Sequence, residues 1–196
     1  MNYLYIAIII LTVIWISLFY IKRRYFGETL IKTKPRIAIP GFKMHYSDQS
    51  SNYGKQAYIR GKILESKKYG LKGKPDFVFK HWCKDVFIPV ELKSGKLGDR
   101  QSPYDGDLMQ LSTYFLITEE AFSGKVTEGR LIYKDCMFIV KNSHELSEKL
   151  FTTLEEMRTM LKTGEGTPNT SFETCRFCTL QGTVCEFSSA IRADKL

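Results

Sequence analysis

Three residues of this sequence have types and spacing that could do chemistry: Asp76, Glu91 and Lys93. They lie within GKPDFVFKHWCKDVFIPVELK (73–93), an apolar stretch that otherwise reads as core strand. Glu91 and Lys93 are two apart, so on a strand they share one face, with Leu92 on the other. Asp76 to Lys80 and Val86 to Lys93 read as strands rich in Val, Phe and Ile, and the polar break between them is HWCKD. If the two strands pair as a hairpin, opposed residues have numbers of constant sum. A turn centred between Cys83 and Lys84 then sets Asp76 against Glu91, with β-carbons about 4.5–5.5 Å apart. Two carboxylates that close repel unless a cation holds them, and a divalent ion with oxygen ligands, Mg²⁺ or Mn²⁺, is the economical candidate. Such an ion polarises a phosphate oxygen and acidifies a bound water. Lys93 beside it could orient that water or stabilise charge developing on phosphorus. The chemistry is phosphodiester hydrolysis. The same E-x-K pattern also suits an ion pair facing solvent.

A second set of reactive residues closes the sequence. CRFCTLQGTVC carries Cys175, Cys178 and Cys185 in a C-x2-C-x6-C pattern, close enough to grip one metal centre. The other two cysteines, Cys83 and Cys136, fall near expected turns, and neither is well placed to complete the set.

These residues need elements to position them. Residues 35–48 could hold one or two short strands broken at Pro40 and Gly41, and residues 62–71 read as a further strand. Residues 94–107 form a loop punctuated by Gly, Pro and Asp. DLMQLSTYFLITEEAF (107–122) reads as a helix with Leu108, Leu111, Phe115 and Phe122 on its apolar stripe. On that helix Gln110 and Tyr114 are i and i+4, on one face. Residues 129–142 read as a hairpin turning at Lys134 and Asp135. Ser143 to Gly164 bound a second helix whose stripe is Leu146, Leu150, Leu154, Met157 and Leu161. The order strands, helix, strands, helix, cysteine tail suggests a mixed α/β or α+β core.

Together GKPD, PVELK and Q-x-x-x-Y, in this order, resemble the motifs of the PD-(D/E)xK nucleases. The likeness is to RecB-like exonucleases, and within them to the CRISPR-associated exonuclease family and the nuclease domain of the Dna-two helicase–nucleases. It runs from about Tyr46 to Cys185. It implies a restriction-endonuclease-like core, a mixed sheet flanked by helices. It implies that Asp76, Glu91 and the backbone carbonyl of Leu92 hold the metal and that Lys93 is the catalytic lysine. Gln110 and Tyr114 would support the site and touch DNA. Relatives carry a further upstream His ligand on a helix. Here His45 and Asp48 are the candidates, and both read better as loop residues. In that family the three tail cysteines join one upstream of the nuclease motifs in a [4Fe–4S] cluster, but no cysteine precedes Cys83 here. An iron–sulfur cluster with a substitute fourth ligand, a Zn²⁺ site and a metal-free tail stay open.

Charge bears on partners. With 29 Lys and Arg against 21 Asp and Glu, the net charge is +8, which favours an anionic partner such as nucleic acid or lipid. Between residues 55 and 74 seven basic residues, Lys72 and Lys74 among them, face Glu65 alone. A basic run leading into a metal site suits a phosphate backbone, and Tyr58 and Tyr69 within it, with Tyr53 just before it, could stack on single-stranded bases. A solvated face or lipid contact would use the same charges. Tyr3 to Ile21 is a run of 19 residues without a formal charge, followed at once by Lys22, Arg23 and Arg24. Roughly 20 apolar residues span a bilayer as helix, and the basic flank puts residues 22–196 in the cytoplasm. The expected layout is a transmembrane anchor with its basic flank over 1–24, a linker over 25–34, the nuclease core over 35–166 and a cysteine-rich tail over 167–196. The expected protein is a single-pass, membrane-anchored, metal-dependent nuclease, an exonuclease on single-stranded DNA by resemblance. Its alternative is a membrane-tethered nucleic-acid-binding module without catalysis.

Overall fold

In the computed structural model, residues 10–13, 15, 30–49, 57–166, 175, 178, 179 and 185 are described. The chain divides into two units, 1–150 and 151–196. The predicted span over 3–21 lies outside the described residues, apart from Ile10–Val13 and Trp15, which are helical. Among the described residues no helix is long and apolar enough to cross a membrane.

The first unit is a mixed α/β fold built on one large sheet. Its strands are β1 (Leu30–Thr33), β2 (Phe42–Ser47), β3 (Ile59–Arg60), β6 (Phe77–His81), β7 (Val86–Leu92), β8 (Lys125–Val126), β9 (Glu128–Ile132) and β10 (Met137–Lys141). Their order is β1-β10-β9-β7-β6-β2-β3, with β8 pairing β7 off that path. Helix α1 (Asp105–Phe122) carries the chain from β7 to β9, which run parallel, as a strand–helix–strand crossover requires. Two short strands, β4 (Leu64–Ser66) and β5 (Leu71–Gly73), form a separate hairpin packed on α1.

The β6–β7 hairpin has the register expected from the sequence. Phe77 pairs with Val90, Val78 with Pro89, Phe79 with Ile88 and Lys80 with Phe87, so every pair keeps the sum that sets Asp76 against Glu91. The alternation of β7 then sorts its side chains. Phe87 joins Leu111, Phe115 and Ile117 of α1 in one core cluster, while Ile88 and Val90 join Phe77, Phe79 and Met137 in a second. Glu91 shares the face of Phe87, the one that α1 covers. The β9–β10 hairpin likewise turns between Lys134 and Asp135, as its spacing predicts.

Helix α1 sits close to the sheet because Gly129 leaves it room. A β-carbon there would lie 2.5 Å from the Phe115 ring and 3.0 Å from Leu111. Gly129→Ala is therefore expected to destabilise the protein by about 1–3 kcal/mol through overpacking, read as a lower urea midpoint with an unchanged slope.

Some expectations need correction. Leu30–Thr33, read as the end of a linker, is the edge strand β1, antiparallel to β10. Residues 62–71 are not one strand, because the chain turns at Lys67–Gly70, with Gly70 at φ +63°, and returns as β5. Asp76 lies just before β6 rather than within it. His45, read as a loop residue, is on β2, where the register shifts between Met44 and Tyr46. Helix α2 (His144–Thr163) exists, but of its predicted stripe only Leu150 is buried, while Met157 is 54% and Leu161 85% exposed.

Candidate active site

The hairpin, the crossover and α1 bring Asp76, Glu91, Leu92, Lys93, Gln110 and Tyr114 together. Leu92 N–H donates to Asp76 Oδ2 at 2.6 Å, tying the carboxylate across the open end of the hairpin. In a strand the N–H and C=O of one residue face the same neighbour, so the Leu92 carbonyl also faces the Asp76 side. Lys93 N–H points the other way and donates to Ile132 O at 2.7 Å, which fixes the lysine backbone to the β9 edge.

Gln110 sits between the two charged side chains. Its Nε2 donates to Glu91 Oε1 at 2.7 Å and to the Tyr114 hydroxyl at 3.0 Å, while its Oε1 accepts from Lys93 Nζ at 2.6 Å. Lys93 Nζ also lies 3.5 Å from Glu91 Oε1 and 2.9 Å from Asp107 Oδ1. The Tyr114 hydroxyl donates onward to Lys74 O at 3.2 Å. Gly73 makes that approach possible, since a β-carbon there would come within 2.8 Å of the Tyr114 ring.

Glu91 is the electrostatic centre of the group. It is 8% exposed, and its Oε2 is buried without a hydrogen-bond partner. Burial, and then the charge of Asp76, push its carboxyl up to about 7. A buried carboxylate oxygen left unpaired beside a second carboxylate is where a cation belongs. With Asp76 and the Leu92 carbonyl it makes a hard, all-oxygen donor set, which fits Mg²⁺ or Mn²⁺. Among the described residues no three His, Cys, Asp or Glu side chains form a ligand cluster; the third donor here is backbone.

Three neighbours were missed from the sequence. Asp107 grips Lys93 and accepts a hydrogen bond from the Tyr133 hydroxyl. Gln49 donates its side-chain amide to Asp76 Oδ1. Asp107 carried a signal, since it stands three residues before Gln110 on the same helix face. Tyr133 and Gln49 carried none.

The remaining predicted residues lie further out. Asp48 is at the rim of the site, its amide donating to Asp76 O at 3.0 Å and its carboxylate paired with Lys74 at 2.9 Å. Lys72 pairs with Glu65 at 3.3 Å. His45 is away from the carboxylates, against Phe87 and Phe122. Tyr53 and Lys55 lie outside the described residues. Cys136 is buried in the α1-side core, where burial raises its thiol, which suits packing rather than ligation. Cys83 is exposed in the β6–β7 turn. In the second unit Cys178 N–H donates to Cys175 O at 3.0 Å.

A mixed α/β domain with two carboxylates and a lysine clustered at the end of a β-hairpin is thus what fold and site define. No protein-family model and no curated protein sequence matches this chain.

Proposed function

We propose that this chain is a membrane-anchored, metal-dependent deoxyribonuclease of the PD-(D/E)xK class that cleaves single-stranded DNA, most simply as an exonuclease. The observation that carries this reading is the buried, unpartnered Oε2 of Glu91 beside Asp76, with Lys93 on the same face two residues on. Asp76, Glu91 and the Leu92 carbonyl would hold Mg²⁺ or Mn²⁺, which when bound supplies a Lewis acid and an acidified water. The chain's own part is to position. Gln110 fixes the carboxylate of Glu91 and the ammonium of Lys93 relative to each other, and Asp107 holds that ammonium along the Glu91 face. Lys93 then offers positive charge where charge develops on a phosphate. The basic run before Asp76 supports a polyanionic substrate.

The uncharged run over 3–21 with its basic flank supports single-pass anchoring with the catalytic unit cytoplasmic. The C-x2-C-x6-C spacing supports a metal staple in the tail, a [4Fe–4S] cluster or Zn²⁺.

The test uses the full chain, purified anaerobically in detergent, with end-labelled single- and double-stranded DNA. Cleavage of the single strand with Mg²⁺ or Mn²⁺, abolished by EDTA, is expected. Metal-independent products, or none, would overturn the nuclease. Single-strand binding without cleavage would replace it by the non-catalytic binding module. Iron, sulfide and zinc analysis of the same preparation reads the tail.

A further inference from the structure

At the opposite end of β6 from Asp76 lies a concave patch with no part in the catalytic group, with Lys80 on the face that α1 covers and His81, by the alternation of β6, on the other. Its cavity of about 390 Å³ is lined by Lys43, His45, Tyr58, Lys80, His81 and Trp82, within the roughly 300–1,000 Å³ of small-ligand pockets. Lys43 and Lys80 are direct cross-strand partners in the antiparallel β2–β6 pair. Like charges so placed repel, and the pair costs stability unless an anion sits between them. Asp85 offsets part of this, 2.9 Å from Lys80, but is itself largely exposed.

The aromatic rings are the second observation. Tyr58 is 85% and Trp82 71% exposed, unusual for rings of this size. They come from different elements, Tyr58 from the segment entering β3 and Trp82 from the turn after β6. Each is stacked on an imidazole, Tyr58 on His45 and Trp82 on His81, with interplanar angles of 17° and 28°. His81 Nδ1 accepts the Cys83 N–H at 3.2 Å, which leaves Nε2–H as a donor. The rings are thus held ready, with one face of each open.

We propose that this patch binds one nucleotide unit of single-stranded DNA, its phosphate on Lys43 and Lys80 and its base on Trp82 or Tyr58. Paired lysines with open aromatic faces are the equipment of single-strand binding surfaces. The concavity favours a nucleotide over a membrane surface, which would press on a convex basic face. Lys80 is four residues from Asp76 along the strand, about 13 Å at about 3.3 Å per residue, so one strand of DNA could engage both places. The binding needs no metal and does not depend on the nuclease reading.

The experiment uses the full chain with Trp15→Phe, leaving Trp82 as the sole tryptophan, in EDTA with fluorescein-labelled dT12. Quenching of Trp82 emission on DNA addition is expected. Trp82→Ala and Tyr58→Ala should each weaken binding by about 5- to 150-fold, and Lys43→Glu should weaken it and flatten its salt dependence. All three residues are exposed, so the variants should melt with the parent. Unquenched emission with unchanged affinities would overturn the subsite. So would loss of binding to phosphatidylserine vesicles in these variants while dT12 binding holds, which would make the patch a lipid contact. Metal-dependent cleavage with indifferent patch variants removes this subsite alone, whereas quenching without cleavage removes the nuclease alone.

Discussion

Lys93→Ala is expected to reduce metal-dependent cleavage by about 10²–10³-fold, the usual cost of deleting one aimed charge from a transition-state site. Its ammonium touches Gln110, Asp107 and Glu91 at once, at 2.6, 2.9 and 3.5 Å, and its side chain is 18% exposed. A lysine held so tightly has little freedom to follow the substrate, so its effect should fall on kcat, with KM for DNA shifted by less than about threefold. Lys93→Arg should not rescue, because a planar fork cannot keep all three contacts of a compact ammonium. Both variants are read by kcat and KM on a labelled single strand with Mn²⁺, beside a melting curve to exclude unfolding. Wild-type turnover in Lys93→Ala would remove Lys93 from the chemistry.

Glu91→Gln should show two effects of opposite sign: loss of cleavage, and a gain in stability at pH 8 in the absence of metal. The native carboxyl titrates near 7, raised from 4.5 by burial and then by Asp76. Below about 4.5 it is protonated folded and unfolded alike, and no penalty arises. Between 4.5 and 7 the native state keeps a proton the unfolded chain has lost, so stability falls as pH rises, and above 7 the penalty is complete. Its size is on the order of 3 kcal/mol. Glutamine carries no such term, so urea denaturation in EDTA should find the variant more stable than the parent at pH 8 and level with it near pH 4.5. Saturating Mn²⁺ should narrow or reverse the gap by stabilising the parent, by about 2.7 kcal/mol at one hundred times Kd. Parallel pH profiles for the two proteins would mean that Glu91 is not the strained carboxylate.

The centre of this site was legible because a hairpin is a local object. Two strands and a polar turn define a register, and the register alone opposes Asp76 to Glu91. Gln110 and Tyr114 were legible from helix spacing. Tyr133 was not, since it reaches Asp107 from beyond β9, whose parallel pairing with β7 no local pattern announces. His45 was misread because the irregularity in β2 breaks the period that marks a strand. The α2 stripe failed for another reason. Helical spacing says which face could be buried, and Met157 and Leu161 stay exposed although they lie on it.

The backbone bond from Lys93 to Ile132 O has a consequence in time. A hairpin closes in about 1–10 μs, so Asp76 and Glu91 can meet as soon as β7 has left the ribosome. The lysine cannot settle until some forty more residues have been made and the crossover through α1 has laid β9 alongside. Contacts that distant in sequence form late. The nascent chain therefore passes through an interval with its carboxylates opposed and its lysine loose, and the group is complete only with the last strands of the sheet.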